Sequence, residues 1–207
     1  FLLFAGRSLK APAFDFFYDL YNQSCSKLNC SGLDFMHYRQ FSNPYSYEDL
    51  AKHQGFVHIP YQVSTMSTFE QYRMNVPLFF PTVRLLIEWH QQHNILREKT
   101  WNGVHHRGRI SNGSAISAHP LQRHLPDPND DTDVESLKYW LPMADFYRWP
   151  QVILFDSVDE LIEKMKTTNL KEVSQAMKNH NENEKRRILN LWERVLLKVA
   201  KYNKHFS

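Results

Sequence analysis

The chain has 207 residues, 42% of them hydrophobic and 14% aromatic, enough to bury a sizeable core and unlike a disordered or low-complexity chain. Its 25 Lys and Arg are interspersed with 22 Asp and Glu for a net charge of +3, so no massed basic stretch marks a nucleic-acid footprint, although small phosphorylated ligands remain within reach. No run approaches the roughly 20 apolar residues that span a bilayer, and no membrane contact is expected within this segment.

In chain order, FLLFA (1–5) reads as a buried strand, and an apolar run at residue 1 with no initiator Met reads as a fragment edge. AFDFFYDLYNQ follows with Phe14, Phe17, Tyr18 and Tyr21 at helical spacing. Cys25 and Cys30 lie close together in a Ser/Asn/Gly loop, with Asn-x-Ser sequons at Asn22 and Asn29 and a third at Asn112. That pattern leans toward the secretory pathway, Golgi or ER lumen, without fixing the compartment.

LDFMHYR (33–39) is a second strand, SYEDLAKH (46–53) a short Ser-capped helix and GFVHIPY (55–61) a third strand. STFEQYRMN then predicts a helix, VPLFFP a fourth strand, and TVRLLIEWHQQH a helix capped by Thr82 with Val83, Leu86, Ile87 and His90 on one face. From about 98 to 134 the rhythm breaks: two Asn-Gly pairs, three prolines, four histidines and an acidic PDPNDD run predict a long inserted loop.

YWLPMADFYRWP (139–150) is dense enough in aromatics to require core packing, with Asp145 and Tyr147 as crevice candidates. QVILFDS (151–157) is a fifth strand, and Ser157 followed by Glu160 forms a capping-box signature for the next helix. The chain ends in a helix whose stripe holds Ile188, Leu191, Trp192, Val195, Leu196, Val199 and Tyr202. Strands alternating with helices imply a parallel sheet covered on both faces.

Eleven histidines and two cysteines show no H-E-x-x-H or comparable zinc spacing, so they read as surface and loop residues, and neither a metal site nor a cofactor is expected. No nucleophile elbow, Walker loop or dinucleotide fingerprint is present either.

In an open parallel sheet, ligands bind beyond the carboxyl ends of the strands. Strand GFVHIPY runs into the polar loop QVST, with Ser67 and Thr68 expected to open the next helix and Glu70 in its first turn. Free N–H groups and the positive end of a helix dipole suit a phosphate there, and Glu70 could accept hydrogen bonds from a ribose diol.

Glu70, Asn75 and Pro77-Leu78 spell E-x4-N-x-P-L, which resembles the E-x4-G-x-P-V segment of the donor-binding domain in GT-B-fold glycosyltransferases. FLLFAGRSLK resembles that domain's first strand and Gly-Arg turn, and VILFDSVDELIEKM with its helical tail resembles its closing elements. The resemblance implies an α/β fold with a Rossmann-like doubly wound parallel sheet, the C-terminal half of a GT-B architecture. A nucleotide-sugar-binding domain would cover 1–182 and a closing helix 183–207.

It further implies transfer of a sugar from a nucleotide-sugar donor to an acceptor hydroxyl on a glycan, protein or lipid. Arg7 and Lys10 would act on the diphosphate beside Gly6, Glu70 would hold the ribose, and Ser64, Thr65, Ser67 and Thr68 would meet phosphate. Gln62 occupies the first position of the E-x7-E pair of retaining members, and Asn75 stands at the family's glycine, where it tolerates left-handed backbone. The final helix would cross to a second domain, leaving part of its stripe uncovered here with Trp192 packed.

Plainer roles exist for each residue: Glu70 as a helix-dipole carboxylate, Arg7 as an ion-pair partner, Lys10 as a solvated side chain and the hydroxyls as caps. Two other functions remain open. One is a non-catalytic remnant acting as an interaction module, and the other is an unrelated doubly wound domain for a small phosphorylated ligand.

Overall fold

A computed structural model describes residues 1–5, 12–37, 46–96, 125–126 and 133–203. Five strands, β1 (Leu2–Ala5), β2 (Met36–His37), β3 (Phe56–Ile59), β4 (Leu78–Pro81) and β5 (Ile153–Phe155), form one sheet. Every pairing is parallel and the order is β2-β1-β3-β4-β5. All four residues of β3 and of β4 are buried, as strands covered on both faces require.

Alternate residues feed two cores. Leu3, Val57, Ile59, Phe79 and Phe155 pack in one with residues of α1 (Pro12–Lys27), α4 (Val83–His93), α5 (Val134–Trp140) and α7 (Val158–Thr167). Leu2, Phe56, Leu78 and Phe80 pack in the other with α2 (Tyr47–Ala51), α3 (Met66–Arg73), α6 (Asp145–Arg148) and α8 (Leu170–Asn203). A Cβ at Gly55 would stand 3.0 Å from the rings of both Phe1 and Phe79, so either ring would have to give by a few tenths of an ångström to admit one.

The caps on α2, α4 and α7 fall at the residues that the sequence marks. Ser46 and Asp49 complete a reciprocal box on α2, and Thr82 accepts from Leu85 N–H at the start of α4. At α7 the Ser157 hydroxyl accepts from Glu160 N–H, but the Glu160 carboxylate reaches one residue further back, to Asp156 N–H. The second strand shrinks to two residues, and residues 98–124 and 127–132 of the expected insertion lie outside the described residues. Asp133 caps α5 through Glu135 and Ser136 N–H, so helix resumes where the insertion was expected to end.

Asn75 adopts φ 60°, a left-handed geometry that asparagine tolerates better than other non-glycine residues. Its Oδ1 accepts from Asn181 Nδ2 at 2.7 Å, and the same amide donates to Tyr72 O at 3.1 Å, which ties the end of α3 to α8. Cys25 and Cys30 are joined in a disulfide at the end of α1.

The 34-residue α8 runs without a break from Leu170, past 182–183, to Asn203. It packs through Met177 and Asn181, and beyond Ile188 its apolar stripe is exposed. Trp192, expected to be packed, is 60% exposed, because the helix has left the sheet before the stripe begins.

Candidate ligand-binding crevice

The strand order places a topological switch at β1. The chain moves from β1 outward to β2, then returns past it to β3, β4 and β5. Helices α1 and α3, which follow β1 and β3, pack on opposite faces of the sheet, and the carboxyl ends of these two strands are where a sheet of this order is expected to hold a ligand crevice. Order 2-1-3-4-5 is that of flavodoxin-like sheets, and it is equally the six-stranded Rossmann order 3-2-1-4-5-6 without its outermost strand 3. Gly6, Arg7 and Lys10 lie outside the described residues.

The β3 side is described in full. After Ile59 the chain passes through Pro60 and half-buried Gln62 to exposed Ser64, then enters α3. The N-cap is Thr65, whose hydroxyl accepts from Thr68 N–H at 3.4 Å and bonds the Thr68 hydroxyl. Ser67 donates to the Thr65 hydroxyl at 3.5 Å.

This moves the start of the helix upstream of Ser67 and Thr68, and the burial of Thr68, Gln71 and Tyr72 at i, i+3 and i+4 fixes that phase. Glu70 consequently sits in the second turn, about 6 Å along the axis from Met66, rather than in the first. Its side chain is exposed, and its support for the helix dipole is weaker than the sequence suggests.

Across the crevice, Ser64 Oγ donates to Asp145 Oδ2 at 3.5 Å, so the β3–α3 loop and α6 meet at this edge. Tyr147 of α6 donates to Pro81 O at 2.8 Å, and burial pushes its phenol far above the usual range. It is a fixed hydrogen-bond donor holding α6 over the end of β4. Ser64, Thr65, Ser67 and Thr68 thus cluster at the start of α3, with Ser64 bonded to Asp145 and Gln62 two residues upstream.

Two features carry little sequence signal. His58 is buried in β3 with its ring stacked between Phe4 (5.0 Å) and Phe80 (4.6 Å), and Phe80 stacks in turn on Phe146 (4.6 Å). Burial pushes its imidazole down to about 3, with nearby Gln71 acting in the opposite sense. His58 Nε2 and Gln71 Oε1 are nevertheless both buried without a hydrogen-bond partner. A histidine inside the apolar run FVHIP was the available clue.

At the carboxyl ends of β4 and β5, Asp156 accepts two bonds from Arg84 Nε and one from Nη2 and is also bonded by Thr82. The Arg84 and Thr82 hydrogen bonds hold its carboxyl below the usual range. At the opposite, amino edge of the sheet a cleft of about 750 Å³ is lined by Lys166, Lys171, Lys178 and His53 together with neutral residues.

No family model, curated protein or solved structure matches the chain.

Proposed function

We propose that the chain is the donor-binding half of a GT-B-fold glycosyltransferase, binding a nucleotide-sugar at the β1/β3 crevice. The observation that carries this reading is the hydroxyl-rich β3–α3 loop, which opens a helix N-terminus at the switch point of a parallel sheet. The left-handed Asn75 at the end of the same helix, ahead of Pro77-Leu78, adds the backbone geometry that the family's glycine would supply.

In this reading the N–H groups of Met66 and Ser67, which have no acceptor inside the helix, face the donor diphosphate together with Arg7 and Lys10. The sugar C1–O bond to the diphosphate breaks while a bond forms from the acceptor oxygen to C1, and the acceptor proton passes to a base. Negative charge gathers on the leaving diphosphate, so fixed donors aimed at it lower the barrier. Glu70 accepts the ribose hydroxyls from the second helical turn, and Asp145 borders the sugar.

The flavodoxin-like strand order favours one other reading, a domain that binds a small phosphorylated ligand without sugar transfer. Thermal unfolding with UDP, GDP, CMP and ADP sugars separates the two. Stabilisation by one class of nucleotide-sugar, at about 2.7 kcal/mol for ligand at a hundredfold over Kd, supports donor binding. A response to a free nucleotide or simple phosphomonoester alone supports the second reading, and none at millimolar ligand rejects both.

A further inference from the structure

We infer that Asn29 is an N-glycosylation site, modified in an oxidising secretory compartment. Three observations converge on it: Asn29-Cys30-Ser31 is an acceptor sequon, both Asn29 and Ser31 are exposed, and the chain's only two cysteines are joined in a disulfide at this loop. Each sets a separate condition, respectively chemical recognition, room for a bulky polar glycan and the redox compartment in which the transfer takes place.

Local geometry separates the two sequons that the structure describes. Asn29 Oδ1 accepts from Ser31 N–H at 2.9 Å, an Asx turn that brings the serine next to the acceptor amide. So engaged, Asn29 remains exposed just past the end of α1. Lys166 donates to the Asn29 carbonyl and pins the backbone without covering the side chain.

Asn22 instead lies inside α1, where its carbonyl accepts from Ser26 Oγ and its sequon serine, Ser24, is 7% exposed. A helix holds Ser24 away from the Asn22 amide, so folding withdraws this sequon while leaving Asn29 presented. Asn112 lies outside the described residues.

The transfer needs a lipid-diphosphate-linked oligosaccharide and a transferase of the compartment. The Asn29 Nδ2–C1 bond forms, the C1–O bond to the lipid diphosphate breaks, the diphosphate leaves with the bonding pair, and one amide proton passes to a base. Cys30 occupies the middle of the sequon, which places the disulfide and the glycan on adjacent residues.

The test is secretion of the full chain from a eukaryotic cell behind a secretion leader, followed by enzymatic deglycosylation and peptide mapping with differential thiol alkylation. The expected result is a glycan on Asn29 in the majority of molecules with Cys25–Cys30 intact. Asn29→Gln and Ser31→Ala should each remove one glycan, and Ser31→Thr should retain it, which separates loss of the sequon from loss of folding. An unmodified Asn29 peptide in secreted protein overturns the inference, as does recovery of Cys25 and Cys30 as free thiols.

Discussion

His58 makes stability depend on pH in a way that one substitution can isolate. Its folded-state value of about 3 lies well below the ordinary 6.5, so between those values the unfolded chain binds a proton that the folded chain does not. Stability therefore rises with pH through that window, and it falls on acidification as the unfolded histidine is protonated. At pH 5 the unfolded state gains RT ln(1 + 10^1.5), about 2 kcal/mol, a figure insensitive to the folded value as long as that value stays well below 5.

His58→Phe keeps an aromatic ring in the Phe4–Phe80–Phe146 stack, removes the titration and removes the orphan Nε2. Urea unfolding of both proteins at pH 7.5, 6 and 5 measures the difference directly. The wild-type protein should lose about 2 kcal/mol more than the variant between pH 7.5 and 5, and the variant should gain about 1–2 kcal/mol at pH 7.5 from the relieved polar burial. Subtraction cancels the other ten histidines. Parallel pH profiles for the two proteins would refute the reasoning, whatever the absolute stabilities.

Asn75→Ala should cost about 2–3 kcal/mol in chemical denaturation, combining left-handed strain with the lost Asn181 bond, whereas Asn75→Gly should cost only about 1 kcal/mol because glycine keeps the backbone geometry. Thr65→Ala should lower stability by about 0.5–2 kcal/mol through loss of the α3 cap, with Thr65→Ser restoring most of it. Glu70→Gln should weaken nucleotide-sugar binding by about 1.5–3 kcal/mol in calorimetry while changing folding stability by less than about 0.5 kcal/mol, given its exposed second-turn position. Trp192→Lys should leave unfolding within about 0.5 kcal/mol of wild type, and a larger loss would mean that the stripe is covered.

The strands were legible because both-face burial writes them as nearly unbroken apolar runs, and VPLFFP and GFVHIP name β4 and β3 almost to the residue. The first, third, fourth and fifth strands lie side by side and parallel, as their shared character of buried apolar runs suggests, and only the place of β2 was less legible. Which side of β1 receives β2 depends on how the helices share the two faces, and alternation of element types does not encode that. The α3 cap was misplaced for a local reason: Ser64, Thr65, Ser67 and Thr68 all suit the position, and only the inward phase of Thr68, Gln71 and Tyr72 selects Thr65. Trp192 was expected to pack because the GT-B resemblance leaves only part of the closing stripe without a partner, yet burial depends on contacts that the stripe alone cannot supply, and Trp192 is exposed with the rest.

These placements constrain the proposed chemistry. His58 lies next to the end of β3, but with its imidazole held neutral far below physiological pH it cannot take a proton from an acceptor hydroxyl and release it near neutrality. Among the described residues, the carboxylates at the crevice are Asp145 and Glu70, and Glu70 is assigned to the ribose. A base for the acceptor must then be Asp145 or a group outside the described residues. Ser64 donates to Asp145 Oδ2 at 3.5 Å, and one such bond leaves the carboxylate further lone pairs with which to meet an acceptor hydroxyl. Asp145→Asn should therefore reduce turnover far more than donor affinity, while loss of donor binding alone would return Asp145 to a structural part at the mouth of the crevice.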